Sequence, residues 1–398
     1  MTPSPLPVLR LKPKSNPRHI RHGFPWVFDN EVVTDRRTRA IAPGALAVLE
    51  DAERRPLALV AVNPGSRIIG RVLDRDPGAS MDEAWVRAHI GRALTLRERL
   101  FDAPFYRLIH AEADGLPGLI IDRFGDVAVI QPNAAWAETH LDTLCAALVE
   151  VTGVTTVVKN AGGRARALEG LDDIGTVLFG EMPTGPVPVP MNGAVYMADL
   201  VSGQKTGLFY DQRPNHDFAK RLSDGARVLD VFSHVGGFGL AALAGGARSA
   251  LAVDASDPAL ALSREGAARM GMEERFDTRQ GDAFEQLEAL GQEGVRFDVV
   301  ICDPPAFAPT KKALDRGLRA YERVARLAAP LVTEGGFLGL CSCSHAVDLS
   351  AFRGASIRGI GRGGRQGRLI HTGFAGPDHP MHPHLAESGY LKALFFAL

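Results

Sequence analysis

Five short apolar runs beyond about residue 200 constrain this chain most: "RVLDVFS", "SALAVD", "FDTRQGD", "FDVVICD" and "GGFLGLCS". Helical stretches separate them. Apolar strands alternating with helices imply crossover connections, and these build a parallel, doubly wound α/β sheet. One helix is expected to begin at Asp257-Pro258, with the aspartate as N-cap and proline at the first helical position. Ligands of such sheets bind outside the carboxyl ends of the strands. What each run ends in therefore matters most.

The first run ends in "LDVFSHVGGFG". Asp230 closes the strand, Phe232 and Ser233 follow, and Gly236, Gly237 and Gly239 open the next helix, where backbone can approach a ligand. The second run ends at Asp254, with Ser256 just beyond, placed for ribose hydroxyls. The third ends in "GDAF", setting Asp282 and Ala283 beside an expected adenine. The fourth ends in "CDPPAF", with Asp303. A glycine-rich turn is weak evidence, since nicotinamide enzymes share it. Here an acid ends the first strand, and the turn to Gly236 is too long to cup a pyrophosphate. A carboxylate suits an amino-acid ammonium instead. Ammonium, ribose and adenine together describe S-adenosylmethionine. A structural sheet with ordinary loop acids is the competing reading.

Upstream the pattern differs. At 398 residues the chain exceeds one ordinary core, and two or three domains are expected. Residues 1–78 read as short β segments with turns, as in a small β-barrel. Residues 1–75 hold 13 Lys/Arg against 7 Asp/Glu although the whole chain carries −1. Such a basic end, with Arg18, Arg21 and Trp26 in "RHIRHGFPWVFDNEV", suits RNA phosphates and bases; aromatics filling the barrel's own core are an equal alternative. Residues 79–190 read as a central α+β domain. Ser80 and Glu83 are expected to form a capping box, Cys145 sits on an apolar helical stripe, and Asn192-Gly193 marks a hairpin that closes this middle segment; the third domain is taken as 191–398. No apolar run approaches a spanning length and the N-terminus lacks a signal-peptide core. With four cysteines and no disulfide framework, the cytoplasm is the expected compartment and no membrane partner is expected.

Several motifs recur along nearly the whole chain: "GFPWVF", "IHAEADGLPGLIIDRFGD", "GQKTGLFYDQR", "FSHVGGF", "DPPAF", Ser342-Cys343-Ser344 and "DHPMHPHLAESGYLK". In these the chain resembles the ribosomal large subunit methyltransferase I family, enzymes that form 5-methylcytidine in 23S rRNA. The resemblance implies a PUA-like RNA-binding domain, a central α+β domain and a Rossmann-like class I methyltransferase domain. It implies that Phe209, Asp211, Gln212 and Arg213 wrap S-adenosylmethionine, and it adds Lys205 to the RNA-contacting residues. His234 and Ala306 depart from the family pattern. Residues 350–375 are richer in Gly and Arg than the helix expected there.

Carbon 5 of cytosine is too electron-poor to attack a methyl sulfonium. A thiolate adding at carbon 6 makes it nucleophilic, which is covalent catalysis. Cys341 and Cys343 are the candidates. On a strand both would face the same way, ~6.6 Å apart, with Cys343 nearer the ligand end. A metal pair lacks further ligands near it, and a strand holds the sulfurs too far apart for a disulfide. Cys343 is thus the expected nucleophile, Cys341 a packed neighbour, and Asp303 the group on the base edge. Within enzymes the alternative is an exocyclic-amino methyltransferase; outside them, a non-catalytic RNA-binding or assembly factor. The residues do not decide between a monomer and a homodimer.

Overall fold

The computed structural model describes residues 6–200 and 207–398. They divide into two compact units. The first comprises residues 6–184 together with Asp378–Ala386. The second comprises residues 185–200, Gly207–Pro377 and Glu387–Leu398.

The first unit holds two five-stranded sheets. One runs in the order Val8–Arg10, Ala45–Glu50, Pro56–Val62, Gly70–Asp74, Trp26–Val27. Leu9, Val27, Leu49, Val60 and Val62 fill its core. The other runs Thr176–Phe179, Thr156–Lys159, Val127–Pro132, Leu119–Phe124, Phe105–His110. Helices Glu83–Leu100 and Leu141–Thr152 contribute to its core through Val86, Ile90, Leu144, Cys145 and Leu148. Helix Glu83–Leu100 starts later than its capping-box reading: the N-cap is Asp82, whose carboxylate accepts from the Trp85 amide at 2.9 Å. A carboxylate at that position meets the first free amides directly, and Ser80 lies outside the helix.

The second unit opens on the hairpin Val187–Met191/Ala194–Ala198. Asn192 and Gly193 turn it with φ of 56° and 80°, the doubly left-handed geometry of a type I′ turn. Its main sheet has seven strands: β1 (Arg227–Val231), β2 (Ser249–Asp254), β3 (Phe276–Gln280), β4 (Phe297–Cys302), β5 (Val332–Ser342), β6 (Arg368–Gly373) and β7 (Lys392–Ala397), in spatial order 3-2-1-4-5-7-6. The five apolar runs become β1 to β5, all parallel. The sheet is not parallel throughout: β7 runs back between β5 and β6, antiparallel to both. The helix expected at Asp257 is capped one residue earlier by Ser256, whose hydroxyl accepts from the Ala259 amide. The Gly/Arg-rich segment does fold as a helix, Leu349–Arg362. Its glycines serve packing, since a Cβ at Gly359 would stand 2.4 Å from the Glu322 carbonyl of the helix Leu314–Ala328. Among the described residues no helix is long and apolar enough to cross a membrane.

Candidate functional site

The parallel strands end on one edge, and the site is built there. Asp230 is fully buried at the end of β1. Its Oδ2 accepts from the backbone amides of Phe238 at 3.1 Å and Gly239 at 2.8 Å, which caps the helix Gly237–Ala244. Its Oδ1 has no partner among the described residues. Burial pushes its pKa up to about 7, against the pull of the two amides. The turn that follows is strained. Phe232, His234 and Gly236 have φ of 63°, 50° and 81°, and such left-handed side-chain-bearing residues gather at functional sites. Asp254, at the end of β2, secures the turn: it accepts from the His234 amide at 2.8 Å and the Ser256 amide at 2.9 Å. Ser233 is buried in the turn with its hydroxyl unpartnered among the described residues. Gly237 lets His216 pack close, because a Cβ there would stand 2.8 Å from His216 Nε2.

Beyond β3, Asp282 is exposed and caps the helix Ala283–Gln292, while Ala283 is buried. Aromatic rings line this edge: Phe232 lies 6.3 Å from both Phe284 and Phe307, which are 6.1 Å apart. The segment just before helix Arg213–Arg221 converges on the same place. Phe209 packs edge-on to His234 at 5.1 Å. Asp211 is buried and accepts from the Tyr390 hydroxyl at 2.5 Å, its other oxygen being unpartnered among the described residues. Gln212 donates to Asp303 Oδ2 at 2.9 Å and accepts from Asn215 at 2.6 Å. Arg213 lies over the Tyr210 ring at 5.4 Å.

The cysteines separate by environment. Cys145, Cys302 and Cys341 are buried, and only Cys343 is partly exposed. Strand β5 stops at Ser342, so Cys343 lies just past it and strand alternation does not carry over to it. Its Sγ is 4.0 Å from the Pro304 carbonyl oxygen in the turn after β4. The two flanking serines are fully buried and lock this turn. Ser342 Oγ accepts from the Ser344 amide at 3.3 Å. Ser344 Oγ accepts from the Ala308 amide at 3.0 Å and pairs with the Tyr321 hydroxyl at 2.8 Å. Burial raises the Cys341 thiol well above its ordinary pKa, with Asp303 adding to the effect, so Cys341 stays protonated. Tyr390, Tyr321, Asn215, His216 and Lys392 went unread as site residues in the sequence. The quoted "YLK" motif is the sequence signal for Tyr390 and Lys392; Tyr321, Asn215 and His216 lie in none of the quoted motifs.

Of the residues read as RNA contacts, Arg18 is exposed and Arg21 is exposed but paired with Asp51 at 3.2 Å. Trp26 is half-buried and donates Nε1 to Glu112 at 2.8 Å. Lys205 lies outside the described residues. Arg36, Arg37 and Arg39, on the short helix Arg36–Arg39, are also exposed.

Buried acceptors without donors at Asp230, Ser233 and Asp211 need a ligand that brings donors of its own. An amino-acid ammonium and ribose hydroxyls meet that need, so S-adenosylmethionine fits these residues. Residues 164–360 match the family model for S-adenosylmethionine-dependent methyltransferases, and residues 9–75 match that for a PUA-like domain. The fold is shared with a methyltransferase solved with SAH, at a TM-score of 0.82 and 18% identity over 98% of this chain and 100% of that one. These define the class: an S-adenosylmethionine-dependent methyltransferase with a Rossmann-like domain and an N-terminal PUA-like domain. A ribosomal RNA large subunit methyltransferase of Deinococcus radiodurans is 36% identical over 99% of this chain and 98% of its own. The ribosomal RNA large subunit methyltransferases I of Alteromonas mediterranea and Vibrio cholerae are 34% and 33% identical over 96% and 95% of this chain and 96% of their own. The chain belongs to the ribosomal RNA large subunit methyltransferase I family.

Proposed function

We propose that this chain methylates ribosomal RNA of the large subunit, at carbon 5 of a cytidine, through a covalent adduct on Cys343. One observation carries this reading: the only cysteine that is not buried stands just past β5, against the Pro304 carbonyl of the turn after β4. S-adenosylmethionine, when bound, supplies an electrophilic methyl group. Asp230, Ser233, Asp211 and Asp254 bind its polar groups, and Phe232 and Phe284 offer apolar faces to its base. Cys343 Sγ bonds to carbon 6 of the flipped cytosine. Asp303, oriented by Gln212, holds the ring nitrogen and amino edge and favours the adduct. After methyl transfer, carbon 5 gives its proton to solvent water, the C5–H electrons re-form the ring double bond and the C6–S bond breaks to release the thiolate. Residues 1–78 serve as the RNA-binding domain through Arg18 and its exposed basic neighbours, residues 79–190 as a connecting α+β domain, and residues 191–398 as the methyltransferase domain.

The test is covalent trapping. RNA containing 5-fluorocytidine cannot release the adduct, because fluorine blocks loss from carbon 5. Wild type and Cys341→Ala, mixed with this RNA and methyl donor, are expected to form a complex that survives denaturation, and Cys343→Ala is expected to form none. Trapping by Cys343→Ala would sink the assignment. Tritium release from carbon-5-labelled cytidine decides the target atom, since exocyclic-amino methylation releases no label.

A further inference from the structure

Lysine 392 is an unusual residue to bury. It opens β7, pairs in register with Ser342 of β5, and is only 5% exposed. Its ammonium donates to two backbone carbonyls, Ser344 at 2.9 Å and Val347 at 2.6 Å. Among the described residues no carboxylate lies within ion-pair distance of it. A buried ammonium served only by neutral carbonyls is costly, and buried cations are ordinarily matched by an anion. The acid next to Val347 on the chain, Asp348, is exposed and commits Oδ1 to the Ala351 amide at the start of helix Leu349–Arg362. His345 is exposed and its ring bonds the Glu387 carbonyl. Tyr321 is engaged with Ser344 Oγ. Among the described residues, a further ionisable group at this turn is the Cys343 thiol, one residue from the first carbonyl that the ammonium holds; Asp303, in the turn after β4, adds a carboxylate at the same strand ends. Burial pushes the Lys392 pKa below lysine's ordinary value, and Cys343 and Asp348 push it back up.

We propose that Lys392 is a positioning residue for the methyl-transfer reaction: its ammonium, fixed by the Ser344 and Val347 carbonyls, is a cation that favours the Cys343 thiolate and sets the turn carrying it. A cation beside a thiol favours the thiolate, which is the form that attacks carbon 6. The arrangement also explains why the lysine is buried: it acts from beneath the turn, in lower dielectric than bulk water, and leaves the exposed side of the sulfur open to a base. The inference rests on Cys343 being the nucleophile, and its test separates the two ideas.

The rate of Cys343 alkylation by iodoacetamide is measured against pH in the full-length protein without RNA, with Cys343→Ser giving the background from the buried cysteines. Wild type is expected to show a midpoint below the ~8.5 of a free thiol. Lys392→Met is expected to raise that midpoint by about one unit or more, lower kcat for methylation ~10-fold or more with KM little changed, and regain activity as pH rises. Lys392→Gln keeps a donor for the carbonyls without the charge, and is expected to shift the midpoint equally while disturbing the turn less. A wild-type midpoint at or above that of a free thiol overturns the proposal without any variant. So does loss of activity in either folded variant with an unmoved midpoint, which is the mark of a merely structural lysine. A shifted midpoint combined with full methylation by Cys343→Ala would keep the ammonium–thiolate pair and reject the nucleophile.

Discussion

Arg97 and Asp230 are both fully shielded from solvent, one in each unit. Arg97 sits on the helix Glu83–Leu100 with every arm engaged. It grips Asp114 with two bonds of 2.6 and 2.7 Å, and donates to the carbonyls of Arg107 at 3.0 Å and Asp378 at 3.1 Å. Arg107 pairs with the fully buried Asp122 in the same manner. Arg71 reaches Glu112 and Glu169, with its Nε unpartnered among the described residues. Asp230 has two amides on one oxygen and, among the described residues, nothing on the other. The contrast separates two uses of buried polarity. Where each donor meets an acceptor, the group specifies a fold. Where acceptors are left bare at the ends of parallel strands, the missing donors belong to a ligand.

The largest effect is expected where pairing is complete. Asp114→Ala leaves the Arg97 guanidinium buried without its carboxylate, which costs about 3–5 kcal/mol. Urea denaturation of the ligand-free protein reads the loss. Affinity of the folded variant for S-adenosylmethionine is expected to stay at the wild-type level. A drop in affinity as large as the drop in stability would erase the distinction between the two regions.

At Asp230 the sign reverses. Its folded pKa of about 7 stands above the ordinary aspartate value of 3.8. The folded state therefore holds the proton more tightly than the unfolded chain. The group's favourable contribution is whole below about pH 4 and is lost as pH rises through about 7. Asp230→Asn keeps an acceptor for the Phe238 and Gly239 amides and removes the charge. The ligand-free variant is expected to be more stable than wild type by about 2–4 kcal/mol at pH 8, with the gap closing toward pH 4. S-adenosylmethionine, whose ammonium needs the carboxylate, is expected to bind the variant more weakly. Melting curves at both pH values, with and without ligand, check both halves. Equal destabilisation of the variant at every pH would place Asp230 with Arg97, as a plain structural group.

This contrast also marks what a sequence can disclose. The strand-end acids Asp230, Asp254, Asp282 and Asp303 were legible because parallel strands end on one edge whatever their tertiary detail. The hairpin at Asn192-Gly193 was legible because its two left-handed residues are local. The antiparallel return of β7 was not, since "YLKALFFAL" reads alike in either direction and its place between β5 and β6 is a long-range choice. For the same reason Lys392 and Tyr390 escaped notice: their partners lie 45 and 179 residues away. The place of Asp254 at a strand end was legible, but its grip on the His234 amide was not, because the strained turn it holds exists only once the sheet has formed.

The smallest effect concerns a helix start in the unit that holds Arg97, where a local rule named the wrong residue. "ASMDEAW" offers two caps, Ser80 with Glu83 three residues on, and Asp82. In the structure Asp82 adopts the extended backbone of an N-cap and its carboxylate takes the Trp85 amide at 2.9 Å. A carboxylate also meets the positive end of the helix dipole, which a serine hydroxyl does only weakly. Asp82→Ala is expected to cost about 1 kcal/mol, and Ser80→Ala a few tenths at most. Asp82 lies far along the chain from every acceptor left bare at the strand ends. Neither substitution is therefore expected to change S-adenosylmethionine affinity, by calorimetry, even where Asp82→Ala lowers the urea midpoint. A larger loss from Ser80→Ala than from Asp82→Ala would return the helix start to the capping-box reading.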